Sequence, residues 1–174
     1  VRLVGGRMTT DLCSLKVAIP QLIQPNVWTV VRFPFDATGE STDLLNMHSA
    51  TRPPPGGPVA NWATDDRSGL IWPSRTGWGV MLGLMQWAAA GVQADPSDGT
   101  EYRDQFVRDP LGYTPTPIDT TATDHRAPTP GGQFFTKQWG INVDPTVPLA
   151  LRVQHNASSP LNLTLAEFKL AITY

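Results

Sequence analysis

The sequence predicts an all-β domain, an antiparallel sandwich or jelly roll. Glycine and proline account for 15 and 17 of the 174 residues, which is typical of a chain with many turns. Only 16% of the residues are charged, too few for the exposed surfaces of a helical bundle, while 40% are hydrophobic, too many for a disordered chain. Eight to ten short apolar stretches separated by turn signals fit strands.

The first 25 residues are predicted to form an extended N-terminal arm, and the sandwich is predicted to span residues 26–174. Pro20 and Pro25 exclude a continuous helix in the arm and favour extended backbone. Its apolar side chains predict packing on its own domain or on a neighbour, although a partly ordered terminus is an open alternative. The residues expected to anchor the arm on a neighbouring protein are Leu12, Leu15, Val17 and Ile19.

Strands are predicted on both sides of a proline-rich loop. Residues 27–35 alternate apolar with polar side chains and are rich in β-branched and aromatic types, and a weaker strand covers residues 44–50. The loop over residues 51–66 contains a run of proline and glycine that cannot form a sheet ladder. A short strand over residues 69–72 follows it.

The most informative strand is predicted over residues 78–90, because both of its faces are apolar. One face carries Trp78, Val80, Leu82 and Leu84, and the other carries Met81, Met85 and Trp87. A helix could have the same composition, but Gly77, Gly79 and Gly83 would each destabilise it by about 1 kcal/mol relative to alanine. One face should therefore meet the core and the other a partner subunit.

The second half of the chain predicts four more strands and one long excursion. A polar strand covers residues 100–107, and residues 109–132 form a surface excursion with five prolines and one short strand near Ile118. Strands resume over residues 133–143 and 149–154. The last strand, over residues 161–174, changes the parity of its apolar positions, which predicts a bulge near Ala166.

Several segments resemble the C1q/TNF-like jelly-roll family. That family places a glycine-aromatic strand ending in tryptophan before a loop, followed by a Gly-x-x-x-Arg strand. The sequence has Ser-Gly-Leu-Ile-Trp-Pro at 68–73, Gly-Trp-Gly-Val at 77–80 and Gly-Thr-Glu-Tyr-Arg at 99–103. The first strand, residues 43–48 and the last hairpin are also similar, so the resemblance covers roughly residues 25–174. It implies an antiparallel C1q/TNF-like jelly roll. The sequence departs from the family in having no collagen-like stalk or membrane segment and in its longer loops at 51–66 and 109–132.

The resemblance also implies a homotrimer, because versions of this domain in bacteriophage virions look like compact trimeric modules. Abundant Thr, Pro, Gly and Ala and a single cysteine suit a phage source better than a secreted cytokine. We therefore expect a non-enzymatic virion protein that decorates and stabilises the capsid surface. The expected trimer interface comprises Trp78, Val80, Leu82, Leu84, Phe168, Leu170, Ile172 and Tyr174.

Two other functions stay open at this point. A tail-tip or fibre adhesin would use the same trimer to bind a host surface glycan or protein through the loops at 51–66 and 109–132. Candidate residues for that contact are Trp62, Asp124 and His125. A small glycan hydrolase ranks third, because nothing in the sequence marks a pair of carboxylates on either side of a sugar cleft.

Charge and composition predict the remaining partners and the location. A net charge of −2 gives no basic surface for nucleic acid, and the longest apolar run, residues 78–92, is too short for a membrane helix. We expect the partners to be other copies of the chain and capsid or tail proteins. Without a recognisable signal peptide, the expected location is the virion surface after synthesis in the host cytoplasm.

No cofactor, metal or catalytic residue is expected. Asp95, Asp98 and Glu101 surround a glycine turn, but Asx turns explain them and their spacing is not that of an EF-hand. The histidines, His48, His125 and His155, have no neighbouring histidine at metal-binding spacing. Asp124 and His125 lie beside threonines, but without a nucleophile elbow we expect only local hydrogen bonds there.

Overall fold

The structure is a computed structural model that describes residues 9–52, 57–88, 100–115, 119–128 and 133–174. It contains one short 3-10 helix at Asp66–Gly69, and no helix in the described ranges is long and apolar enough to cross a membrane. The strands are β1 (Thr10–Val17), β2 (Gln21–Ile23), β3 (Thr29–Val30), β4 (Glu40–Asp43), β5 (Gly77–Trp87), β6 (Tyr102–Arg108), β7 (Asp119–Arg126), β8 (Gln133–Val143), β9 (Leu149–His155) and β10 (Leu161–Thr173).

Two antiparallel sheets pack face to face, which confirms the predicted jelly-roll sandwich. The first sheet has the order β4-β1-β10-β5-β8, with β2 also paired to β10, and the second has the order β3-β9-β6-β7. Aromatic side chains join the two sheets at the centre of the core. Trp87 stacks on Tyr102 with ring centroids 4.7 Å apart, and Phe106 lies 5.8 Å from Phe168.

Residues 10–23 belong to the sandwich, which corrects the predicted boundary at residue 25. β1 pairs with β10 along its whole length and with β4 on its other side, and β2 also pairs with β10. Leu15 and Val17 are buried in the core. The segment is extended, as its prolines predicted, but its apolar side chains complete the core of the same domain. Residues 1–8 lie outside the described part of the chain.

Three other local predictions are corrected. Residues 44–50 form turns after β4, because the Asp43 carboxylate accepts hydrogen bonds from the backbone N–H groups of Met47 and His48. Residues 66–69 form the 3-10 helix, and only Ile71 makes a β-bridge, with Leu149. The excursion at 109–132 contains β7, an eight-residue strand paired with β6.

The irregularity predicted in the last strand is present. The register between β10 and β5 shifts between Leu163 and Leu165. Leu163 faces the core before the shift, and Ala166, Phe168 and the alternate residues after them face it afterwards. The parity of the inward positions therefore changes within one strand.

Candidate subunit interface

β5 has one buried apolar face and one exposed apolar face, as its sequence predicted. Met81, Met85 and Trp87 point into the core and are at most 2% exposed. On the opposite face Trp78 is 56% exposed and Leu82 is 37% exposed, while Val80 and Leu84 are partly buried. A large tryptophan and a leucine are thus left in water on a strand that lies inside the sheet.

Glycines fix the positions of side chains on both faces of the β5–β8 pair. On the inner face, a Cβ at Gly79 would lie 2.8 Å from Val143 Cγ1, so only glycine lets the two strands pack as they do. On the outer face, a Cβ at Gly140 would lie 2.5 Å from Trp78 Cζ2. The Trp78 indole therefore occupies the space that a side chain at position 140 of β8 would need.

The exposed apolar surface continues across three neighbouring strands. The register places Val80 of β5 beside Ala171 of β10, and Ala171 beside Leu12 of β1. Leu12 is 39% exposed. We call this surface the outer face of the first sheet; its apolar members are Leu12, Trp78, Val80, Leu82, Leu84 and Ala171.

An ion pair lies within this apolar outer face. Lys169 Nζ is 2.7 Å from Glu167 Oε2, and the two residues stand beside Leu82 and Leu84 in the register. Together they line one side of a shallow groove of about 350 Å³ whose opposite side is formed by β8. Since the pair is neutral as a unit, a partner covering the groove would not bury an uncompensated charge.

The predicted β10 half of the interface is corrected. Phe168, Leu170 and Ile172 are fully buried between the sheets, because the register shift turns these alternate residues inward. Tyr174 lies at the rim and is 50% exposed. Its hydroxyl donates a hydrogen bond to Asp11, and the Arg75 guanidinium stacks 3.5 Å from its ring centroid.

Asp11 anchors this rim. Burial by itself would raise the pKa of the Asp11 carboxyl, but hydrogen bonds from Ser74, Arg75 and Tyr174 and the charge of Arg75 outweigh it and hold the pKa below its ordinary value. The carboxylate is therefore ionised, and it fixes the start of β1 to the end of β10.

The residues predicted to anchor an arm separate into two groups. Leu15 and Val17 are core residues and cannot contact another protein, whereas Leu12 belongs to the outer face and Ile19 is 57% exposed. Further exposed apolar side chains are Leu22, in β2, and Val27, between β2 and β3. Apart from Leu12, which belongs to the outer face of the first sheet, the exposed apolar side chains of this segment therefore lie in residues 19–27.

The predicted receptor-contact residues do not form one site. Trp62 packs partly buried against the core cluster instead of projecting from its loop. Asp124 and His125 are neighbours on β7 and therefore point to opposite faces of the second sheet. Asp124 Oδ2 is 3.0 Å from Lys137 Nζ, whereas His125 Nδ1 is 2.9 Å from Glu101 Oε2.

The sequence analysis missed a buried ionic cluster that joins the sheets. Lys137 of β8 and Asp104 of β6 have side chains only 3% and 4% exposed, and their ammonium and carboxylate are 2.5 Å apart. Lys137 also donates to the carbonyls of Asp104 and Ala122, and Arg126 donates to the other oxygen of the Asp104 carboxylate. The parity of β8, in which Ile141 and Val143 face inward, was the available signal that Lys137 faces inward too.

Glu101 is paired with two cationic or polar side chains at the edge of the second sheet. Glu101 accepts hydrogen bonds from His125 and Arg103, which hold the pKa of its carboxyl below the ordinary value. No group of three or more His, Cys, Asp or Glu side chains in the described segments is placed to hold a metal ion. Asp95 and Asp98, the other members of the candidate cation site, lie outside the described residues.

The comparisons with known proteins concern the fold. No protein-family model and no curated protein matches the chain. Among solved structures, the globular domain of zebrafish complement 1qA protein matches with a TM-score of 0.54 at 7% identity, over 93% of this chain and 95% of that one. Murine APRIL at pH 8.0 matches with a TM-score of 0.50 at 10% identity, over 92% and 98%. The chain therefore has the jelly-roll fold of C1q/TNF-like domains.

Proposed function

We propose that this chain is a non-enzymatic assembly module that forms a homotrimer through the outer face of its first sheet. The supporting observation is the row of apolar side chains across β1, β10 and β5, in which Trp78 and Leu82 are exposed. Contiguous exposed apolar surface on a folded domain marks a site of association. The number three comes from the resemblance to jelly-roll domains that assemble as trimers.

The energetics favour association through the whole face rather than through one residue. Complete burial of a large apolar side chain contributes about 1.5–3 kcal/mol, and these side chains are already partly buried. Association costs roughly 4–15 kcal/mol in lost freedom of motion, so several such contacts must form together. Trp78 is the strongest single contributor, since tryptophan dominates interfaces when it is fully covered.

The oligomeric state tests this proposal directly. We expect sedimentation analysis at micromolar concentration to give three times the 18.9 kDa mass of the chain. Leu82→Arg places a cation beside Lys169 in the middle of the face and should give a monomer. The control Thr123→Arg adds the same charge at an exposed position of the second sheet and should stay trimeric. A monomeric parent chain, or a control that dissociates like Leu82→Arg, would contradict the proposal.

We further propose that the trimer decorates a phage capsid. Composition and the resemblance to virion modules support this setting, and Ile19, Leu22 and Val27, each at least half exposed, provide apolar surface for the capsid contact. Replacing all three with serine should abolish co-sedimentation with capsids that lack the protein, while the trimer stays intact. Undiminished co-sedimentation of the triple variant would remove this segment from the contact.

Host binding by the same trimer is the second candidate. It is favoured by the solvent-facing side of the second sheet, where the Arg103 guanidinium binds Glu101 and Gln154 in a polar ladder. A polar surface of this kind suits recognition of a soluble or surface ligand better than permanent contact with a capsid. Binding of the purified trimer to host cells, but not to capsids, would favour this candidate.

A further inference from the structure

We propose that the outward side of the second sheet binds a small carboxylate ligand, such as a sugar acid, at Arg152 and Gln105. The site lies on β9 and β6, where the two residues are direct cross-strand partners. It is on the opposite side of the molecule from the outer face of the first sheet, so it does not depend on the proposed trimer.

Arg152 donates to neither a carboxylate nor a backbone carbonyl among the described residues, whereas Arg52, which also has no carboxylate partner there, donates to three carbonyls. Arg152 Nη2 donates one hydrogen bond, 2.9 Å long, to the neutral Oε1 of Gln105, and within the described residues no carboxylate lies in salt-bridge range of it. Its Nε is fully buried and has no hydrogen-bond partner in the described structure. The arginines that do pair with a carboxylate are Arg32, Arg67, Arg75, Arg103 and Arg126.

The surroundings of Arg152 leave its charge poorly compensated. Burial lowers the pKa of the guanidinium, and no opposite charge counteracts that effect. The group lies 5.6 Å from the ring centroid of Trp28, which orients it without neutralising it. A half-buried cation with neutral neighbours is destabilising, and an incoming anion would relieve this cost.

The free donors of the two side chains fit a carboxylate. A guanidinium can only donate, so the Gln105 atom that faces Arg152 is the oxygen, and the Gln105 amide nitrogen is left as a second donor. Arg152 Nη1 makes no hydrogen bond to the described residues. A carboxylate accepts two parallel N–H donors from arginine, which gives the strongest geometry for this pairing.

The neighbouring charges do not oppose an anion. Glu101, on the same side of the sheet, is bound by Arg103 and His125, so its negative charge is already compensated. The Glu101–Arg103 pair is neutral as a unit. The attraction for an anion therefore comes from Arg152 itself.

Titration with glucuronate tests the site, with glucose as the uncharged probe. By calorimetry at low ionic strength, we expect glucuronate to bind in the millimolar range and glucose not to bind. Arg152→Gln should weaken glucuronate binding at least tenfold, and Arg152→Lys should weaken it less because the charge is kept. The control Lys16→Gln removes an exposed cation from the other sheet and should leave the affinity unchanged.

Three outcomes would overturn the proposal: no saturable binding of glucuronate by the parent chain, equal binding of glucose, or an Arg152→Gln variant that binds as the parent does. Equal weakening by Lys16→Gln would overturn it as well, because attraction to the overall charge would then explain the binding. Circular dichroism of each variant establishes that the comparison is made between folded proteins.

Discussion

His155 lies between the two sheets, with one ring nitrogen bonded and the other without a partner in the described structure. Its Nε2 is 2.9 Å from the Ile23 carbonyl and must donate the hydrogen, so Nδ1 carries a lone pair. The ring meets Trp87 edge to face at 5.8 Å. Burial lowers the pKa of His155, and the hydrogen bond to Ile23 offsets this only in part.

This histidine should make the fold sensitive to mild acid. Protonation would create a buried N–H at Nδ1 without an acceptor, whereas the unfolded chain takes up the proton near pH 6.5. The free energy of unfolding is therefore unaffected by this histidine above about pH 6.5. As the pH falls below about 6.5, it decreases by up to about 1.4 kcal/mol per pH unit. Urea unfolding from about pH 7.5 down to about pH 5, which crosses that value, should show this slope in the parent chain.

The matched variants separate His155 from the other histidines. His155→Gln should flatten the pH dependence whatever its absolute stability, and His125→Gln, at an exposed position, should keep it. Parallel pH profiles for the parent chain and His155→Gln would contradict this explanation.

Replacing only Lys137 should lower the free energy of unfolding more than replacing both Lys137 and Asp104. Lys137→Met leaves Asp104 buried with Arg126 as its remaining charged partner, and we expect a loss of about 3 kcal/mol in the free energy of unfolding. Adding Asp104→Leu removes the uncompensated charge and should recover part of that loss. Denaturant titration measures both values, and a single variant as stable as the parent would refute the assignment.

At the scale of elements, β5 depends on having no side chain at two inward positions. A Cβ at position 79 would lie 2.8 Å from Val143 Cγ1, whereas a Cβ at position 83 would lie 3.3 Å from Phe106 Cε1. Gly79→Ala should therefore destabilise the domain by about 1–3 kcal/mol, the usual cost of overpacking, and Gly83→Ala by less. Thermal unfolding of the two variants should give this order, and the reverse order would show that close packing on Val143 is not limiting.

The alternation of apolar and polar residues predicted best those strands that have a clear apolar face. β5, β8 and β9 were placed within a few residues because apolar positions repeat along each of them. β7 was predicted only as one short strand near Ile118, because its sequence is rich in threonine, aspartate, histidine and arginine and lies among prolines. An edge strand paired on one side needs few apolar residues, so periodicity gives no signal there.

The candidate interface was predictable for β5 and not for β10, for a physical reason. Alternation shows that a strand has two faces, and in β5 only one of them can point into the core. In β10 the register shift changes which residues point inward, and Phe168, Leu170 and Ile172 fill the core. The sequence suggested the bulge, but which face was inward depends on the pairing with β5. The same limit applies to β1, whose apolar residues suited an arm as well as a strand.

At the scale of the whole molecule, the two sheets differ in what their outward sides offer. The first sheet has Trp78 and Leu82 in water, whereas the second has arginines, glutamines and a histidine. Because the sheets pack face to face, a trimer that covers the outer face of the first sheet would leave the outward side of the second sheet exposed. The proposed assembly surface and the proposed ligand site therefore lie on opposite sides of one sandwich.

Trimer formation should make the stability of the chain depend on its concentration. Copies that associate only when folded shift the equilibrium toward the folded state by mass action, so the midpoint of thermal unfolding should rise with protein concentration. Leu82→Arg should unfold at one temperature at every concentration, because its cation beside Lys169 prevents association without entering the core. Calorimetric scans over a hundredfold range of concentration would measure both behaviours. A parent chain whose midpoint does not move would show that its exposed tryptophan and leucine are stable in water, and the outer face would then need another partner.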